Sequence, residues 1–296
     1  MITFSKLGEY GRLGNQLFQY AVIRSVSLSK GYELKIPDPS KIICQNQKCQ
    51  LDQFNIECDY LEPEDLSSLR HIINEPDHTK LHTSVFHAKD NTDFFGYYQN
   101  YLYFAKHIQQ IRQDLQFKKE LQEFASDYIG NLKKNNEQIV SVHFRRGDNV
   151  DGTFGRNSGL VEHYFGKDDE TFDKDSYFGK YFYNAIKHFD NVNVKFLVFS
   201  GGTWKGMSNN QGDIQWCKEN LKDDRFLFCE GNNDMEDFAI MTNCDHNVIS
   251  HSTSFGYWAA LLNANPEKII IAPKSYGVPP DGREKQGFYP KNWRKV

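Results

Sequence analysis

Between residues 138 and 272 the chain interleaves four short apolar runs with four amphipathic helical stretches, and that pattern leaves few folds open. The runs are 138–144 (QIVSVHF), 195–200 (KFLVFS), 247–250 and 268–272 (KIIIA), two of them closed by Gly201-Gly202 and Pro273. Strands that read as near-continuous apolar runs are those covered on both faces, as in parallel sheets. Residues 177–188, 214–221, 235–242 and 255–262 carry the helical period between them. The expected class is α/β, with a doubly wound parallel sheet that receives ligands at the C-terminal ends of its strands.

Toward the N-terminus, a short strand at residues 2–4 runs into 8–14, which holds Gly8, Gly11 and Gly14. Leu17, Phe18, Tyr20, Ala21 and Val26 then recur at helical spacing until Gly31, predicting strand, tight turn and helix. Residues 95–113 mix aromatics with aliphatics, and 114–132 read as more helix. The polar run Lys133-Lys134-Asn135-Asn136-Glu137 reads as an interdomain linker. With 296 residues, 39% hydrophobic and 15% aromatic, the chain has room for two α/β domains, here divided as 1–135 and 136–296. Residues 152–175 are polar and acidic, the composition of a long surface loop suited to covering a site.

Bulk properties exclude several classes. A net charge of -4 and a pI near 6.2 argue against coating nucleic acid or an anionic membrane, so any anion site must be local. The six cysteines form no CxxC pair and have no histidines at zinc-finger spacing, which predicts free thiols in a reducing cytosol. Met1-Ile2-Thr3-Phe4 leads at once into polar, Gly-bearing sequence, so neither a secretory signal nor a span of about 20 apolar residues is expected. The expectation is a cytoplasmic protein, with any membrane contact peripheral and at the inner face.

The strongest chemical signal is His143-Phe144-Arg145-Arg146-Gly147-Asp148, directly after a predicted strand. Paired guanidinium groups at a strand end put permanent charge where the sheet receives anions, and each charge-assisted bond to phosphate contributes about 1.5–3 kcal/mol. The plainer alternative is that both arginines pair with carboxylates such as Asp148. A second signal is Ser250-His251-Ser252-Thr253-Ser254-Phe255-Gly256 before a helix, where hydroxyls and unsatisfied N–H groups suit phosphate, although such residues also serve as N-caps. Asp234, Glu236 and Asp237 are either first-turn helix carboxylates or acceptors for a guanine N1–H and exocyclic amine. A third signal is Gly11-Arg12-Leu13-Gly14-Asn15-Gln16: its glycines permit close backbone approach, and Asn15 and Gln16 offer donors and acceptors to sugar hydroxyls. Asp173-Lys174-Asp175 reads as helix-start carboxylates and not as a metal site. Zinc-protease, P-loop and serine-hydrolase motifs are missing from the sequence.

Taken together, Gly11-Arg12-Leu13-Gly14-Asn15-Gln16-Leu17-Phe18-Gln19-Tyr20-Ala21, Gly96-Tyr97-Tyr98-Gln99, Val142 to Asp148, the strand at 196–200, the stretch from Glu236 through Trp258, and Asn292-Trp293 resemble the bacterial α-1,2-fucosyltransferases of glycosyltransferase family 11. The resemblance implies a GT-B architecture of two Rossmann-like domains facing a cleft. GDP-fucose would be held by the C-terminal domain and the acceptor taken by the N-terminal one, with no metal and no cofactor. It implies that Arg145 holds the β-phosphate with Arg146 supporting or sharing it, that His143 and Asp237 lie by the guanosine, and that Ser252 and Thr253 touch phosphate. Asn15, within a segment that includes Gly11, Gly14 and Gln16, would face the reaction centre. The sequence departs from the family pattern at Gly11-Arg12, where many relatives carry two glycines, and at residues 251–257, which leaves the phosphate contact open between Ser252 and Thr253.

The same resemblance implies inversion, with the 2-hydroxyl of a terminal β-galactoside attacking opposite the departing diphosphate. Asp148 is the nearest carboxylate to serve as base, but beside Arg146 it suits orienting arginine better. Alternatives are a fucosyltransferase of α-1,6 or α-1,3 linkage and a non-catalytic module binding a nucleotide sugar or glycan.

Overall fold

The computed structural model describes residues 1–44, 47–147, 171–201, 210–275 and 287–296. The chain divides into two compact units, Met1–Lys119 with Lys285–Lys291, and Glu120–Glu284 with Asn292–Val296.

The first unit opens with β1 (Ile2–Thr3) and α1 (Leu13–Lys30), continues through β2 (Lys35–Ile36), β3 (Ile43–Cys44), β4 (Gln47–Lys48), β5 (Asp59–Tyr60) and α2 (Pro63–Ser68), and ends with β6 (His71–Asn74), β7 (Thr92–Phe95) and α3 (Ile108–Asp114). Strands β1, β7 and β6 form one parallel sheet in that order. α1 is buried along most of its length and stops where Gly31 takes a left-handed φ of 69° and donates its N–H to Ser27 O. Phe4, Phe18, Tyr20, Phe94, Tyr98, Tyr103 and Phe104 fill the core.

The second unit comprises α4 (Lys119–Leu132), β8 (Gln138–Phe144), α5 (Tyr177–Ile186), β9 (Val194–Ser200), α6 (Asn210–Asn220), β10 (Phe226–Phe228), α7 (Asp234–Asn243), β11 (His246–Val248), α8 (Ser254–Leu262), β12 (Ile270–Ala272) and β13 (Arg294–Lys295). Its six strands are all parallel and lie in the order β10-β9-β8-β11-β12-β13. In order of appearance this is 3-2-1-4-5-6, the Rossmann arrangement, with its switch point between β8 and β11. Pleating sends Val140, Val142 and Phe144 of β8 to one face, where the Phe144 ring meets Phe178 and Phe182 at 5.1 and 5.0 Å. Ile139, Ser141 and His143 face the other side.

All four predicted strands of this unit are present, β8 with the predicted bounds, and so are the four helices. The structure adds β10 and β13. Two expectations are corrected. Residues 114–132 are not one helix, because 115–118 break it to stack Phe117 on Phe54 at 5.3 Å. The polar run 133–137 is not a linker between units. It lies within the second unit as a tight turn in which Asn135 and Asn136 adopt left-handed φ and Lys133 binds Asp245 at 2.7 Å, because α4 packs beside α7 through Gln122 and Asn243. No helix among the described residues is long and apolar enough to cross a membrane.

Candidate active site

In the second unit, His143, Arg145, Asp237, Ser252 and Thr253 stand at or just past the C-terminal ends of β8 and β11 and at the starts of α7 and α8. This is the switch point, where strands diverge to opposite sides and leave a crevice. His143 is buried; its Nδ1 lies 3.3 Å from Thr253 Oγ1 and its ring 5.9 Å from that of Phe255. Phe255 in turn meets Phe238, the neighbour of Asp237, at 5.0 Å. Arg145, one residue past β8, is partly exposed.

The Ser/Thr turn divides its roles. Thr253 is buried and is the N-cap of α8, accepting the Gly256 N–H at 3.2 Å. Ser252 is partly exposed, with a left-handed φ of 50°, a conformation uncommon outside glycine. His251 lies within the core, its ring 4.7 Å from Tyr177 and 4.9 Å from Tyr181.

The acidic trio at α7 also divides. Glu236 completes a capping box, accepting the Asn233 N–H at 2.8 Å while Asn233 Oδ1 accepts from Met235 and Glu236. Asp237 is different: its Oδ1 accepts from Cys229 Sγ and from Asn232 Nδ2, both at 3.3 Å, and its Oδ2 accepts no hydrogen bond among the described residues. Loss of solvation pushes this carboxyl up to about 7 against the pull of those two bonds, and Asp234 and Glu236 on the same turn add to the rise. Burial and Asp237 push the Cys229 thiol up as well, so it stays a donor; Tyr128 OH lies 3.5 Å away.

Arg146, expected to support or share the phosphate contact of Arg145, has an interior place. It is buried, with its guanidinium 3.9 Å from the centre of the Trp216 ring and its Nε donating to Asp213 Oδ1 at 3.3 Å. Asp213 Oδ2 accepts the Gly147 N–H at 3.0 Å, so one carboxylate of α6 holds the turn after Arg145. Asp213 and Trp216 were missed by sequence reasoning, because nothing local marks a partner 67 residues away. Asp148, the other carboxylate considered for this segment, and nearly all of the loop expected at 152–175 lie outside the described residues.

In the first unit, Gly11 takes a φ of 78°, and a Cβ there would lie 2.7 Å from Asn15 Cβ, so only glycine fits this turn. Asn15 Oδ1 accepts from Gln99 Nε2 at 2.7 Å. Gln16 does not face outward as a sugar ligand. It is buried, donating to Gly11 O at 3.1 Å and accepting from Cys49 Sγ at 3.4 Å, and so fixes the turn; Gly14 is buried within α1. Cys49, Cys58, Cys217, Cys229 and Cys244 are free thiols.

The chain is 26% identical to an alpha-1,2-colitosyltransferase of Escherichia coli, over 89% of each chain. It is 25% identical to galactoside alpha-(1,2)-fucosyltransferase 1 of Rattus norvegicus, over 88% of this chain and 64% of that protein. Its fold resembles that of NodZ alpha-1,6-fucosyltransferase co-crystallized with GDP, with a TM-score of 0.53 at 14% identity over 92% of this chain and 94% of that one. Two α/β units on parallel sheets, shared with such fucosyltransferases, make this a GT-B fold. The model of glycosyl transferase family 11 matches residues 5–296, and the chain belongs to that family.

Proposed function

We propose that this protein transfers L-fucose from GDP-fucose to the 2-hydroxyl of a terminal β-galactoside, with inversion at the anomeric carbon. The observation that carries the reading is the switch point of the C-terminal sheet, where Arg145 stands at the end of β8 and Asp237, in the first turn of α7, has an oxygen that accepts no hydrogen bond among the described residues. In a chain of this family, those two groups suit the two ends of GDP. Asp237 accepts the N1–H and exocyclic amine of guanine, with His143 and Phe255 beside the nucleoside. Arg145 and the turn at Ser252, ahead of the α8 N-terminus, take the phosphates. Arg146, bound to Asp213, positions the turn from which Arg145 projects.

The acceptor oxygen forms a bond to the anomeric carbon as the bond from that carbon to the β-phosphate oxygen breaks. GDP departs with the electron pair, and the acceptor proton is lost. Negative charge grows on the diphosphate, and a fixed guanidinium aimed at it stabilises the transition state more than the ground state. The N-terminal unit, Asn15 included, takes the acceptor, and the reaction needs no metal.

The test is GDP release from GDP-fucose with and without lactose, in EDTA, with product linkage read by NMR. Lactose-dependent release giving Fucα1-2Gal supports donor, acceptor and metal independence together. An α-1,6 or α-1,3 product reassigns the linkage, and turnover only with a colitosyl donor reassigns the sugar. Tight GDP binding without release from any donor means a binding module instead.

A further inference from the structure

The first unit carries a cluster of aromatic rings that its core does not use. Phe95 at the end of β7 is 49% exposed and Tyr97 is 39% exposed. Tyr10 lies between them, its ring 5.1 Å from Phe95 and 5.5 Å from Tyr97, with Phe4 beneath it at 6.0 Å. The three rings adjoin over a buried floor, with Phe95 tilted 40° and Tyr97 edge-on at 77° to Tyr10.

The backbone that displays them is held in an uncommon shape. Gly96 has a φ of 153°, and a Cβ there would lie 2.4 Å from Glu75 Cβ. Tyr98 has a φ of 49°, which is an outlier for a bulky side chain, and such strain collects at functional sites. Glu75 Oε2 holds the conformation by accepting the N–H groups of Tyr97 and Tyr98 at 2.8 and 2.9 Å. The Tyr10 hydroxyl both donates to Gly96 O and accepts from Gly96 N, each at 2.8 Å. The result is that Tyr98 is fully buried, with its hydroxyl donating to Ile73 O, while Tyr97 is turned outward. Folding alone gains nothing from leaving two large rings partly in water, since burying them further would stabilise the unit. The next residue, Gln99, binds Asn15 at 2.7 Å and ties this loop to the first turn of α1.

We propose that Phe95, Tyr97 and Tyr10 form a stacking platform for the acceptor galactose, an assignment that rests on the transfer reading above. A protein partner is a poor match, because two part-exposed rings fall well short of the roughly 800 Å² per side of a standard interface. A pyranose matches in size. Among common hexoses, galactose has an axial 4-hydroxyl, which leaves the hydrogens on C3, C4 and C5 together on one face as an apolar triangle that lies on an aromatic ring. The equatorial 2-hydroxyl then projects at the rim, unshielded by the rings.

The experiment uses the full chain and the variants Tyr97→Ala, Phe95→Ala and Tyr97→Phe. It measures lactose KM, GDP-fucose KM, lactose-independent donor hydrolysis, and saturation-transfer NMR of methyl β-galactoside. Both alanine variants should raise lactose KM roughly three- to tenfold, the range expected of an aromatic contact. They should weaken saturation of H3, H4 and H5, with donor KM, hydrolysis and Tm unchanged, and Tyr97→Phe should behave as wild type. Lactose KM and saturation equal to wild type in both alanine variants would overturn the platform while leaving the transfer reading intact. Galactoside binding that depends on these rings, in a protein that transfers nothing, would sink the transfer reading and keep the platform. Absence of both in the wild type would sink both.

Discussion

Arg145 directly follows β8 and is partly exposed, so its removal should bear on chemistry more than on folding. Arg145→Ala is expected to lower kcat by on the order of 10²–10³ with Tm unchanged; wild-type turnover would remove it from the reaction centre. Asp237 supplies a pH dependence. Its carboxyl is pushed up to about 7, and guanine donors favour the anion, so GDP binding should tighten as pH rises from 6 to 8 and level off above. The groups facing it, Cys229, Asn232 and Tyr128, stay uncharged over that range, because the thiol and phenol are pushed upward. Titration calorimetry should find proton release on binding near pH 7, and Asp237→Asn should bind more weakly with a flat profile. Stability runs the other way: the folded carboxyl binds its proton more tightly than the unfolded one. That contribution is present at low pH and fades as pH rises from about 4 to about 7. Of this site, His143, Arg145 and Asp237 were legible as chemistry-bearing residues beside predicted strands and helices. Their partners were not: Tyr128 reaches Cys229 from 101 residues away, and Arg146 meets Asp213 from 67 residues away, with Trp216 on the same helix.

Among the elements, β8 and β11 carry the site, and a buried polar network fixes their pairing. Asn247 Nδ2 donates to Ser141 Oγ at 2.7 Å and to Met241 O at 2.9 Å, and Asn263 Nδ2 donates to Asn247 Oδ1 at 2.9 Å. All three side chains that share these bonds are buried. Asn247→Ala would strand each partner away from water, which should destabilise the protein by about 1–3 kcal/mol in urea denaturation; an unchanged midpoint would mean the network is idle. β8, β9, β11 and β12 were legible because burial on both faces writes apolar runs into them, and β1 was legible at residues 2–4. β6 and β7 were not, since they are four residues long and β6 exposes Ile72 on its open edge. Such pairing is set by contacts 20 to 90 residues apart, which no local pattern records.

At the scale of the whole molecule, the last residues serve both units. Residues 285–291 belong to the first, where Phe288 is buried with its ring 5.9 Å from Phe18; 292–296 return to the second, where Trp293 lies 5.0 Å from Tyr257 and β13 completes the sheet. Phe288→Ala and Trp293→Ala should each cost about 3–5 kcal/mol, read as lower urea midpoints, and a chain ending at 284 should fail to accumulate as folded protein. A single change of domain near residue 135, as read from the sequence, misses this return because nothing in Phe288-Tyr289-Pro290 marks it as belonging with residues 1–119. For anyone building chimeras within the family, one crossover is therefore not enough: a transplanted donor half must be spliced at both ends, with the host keeping its own 285–291, or the recipient core is left with a hole.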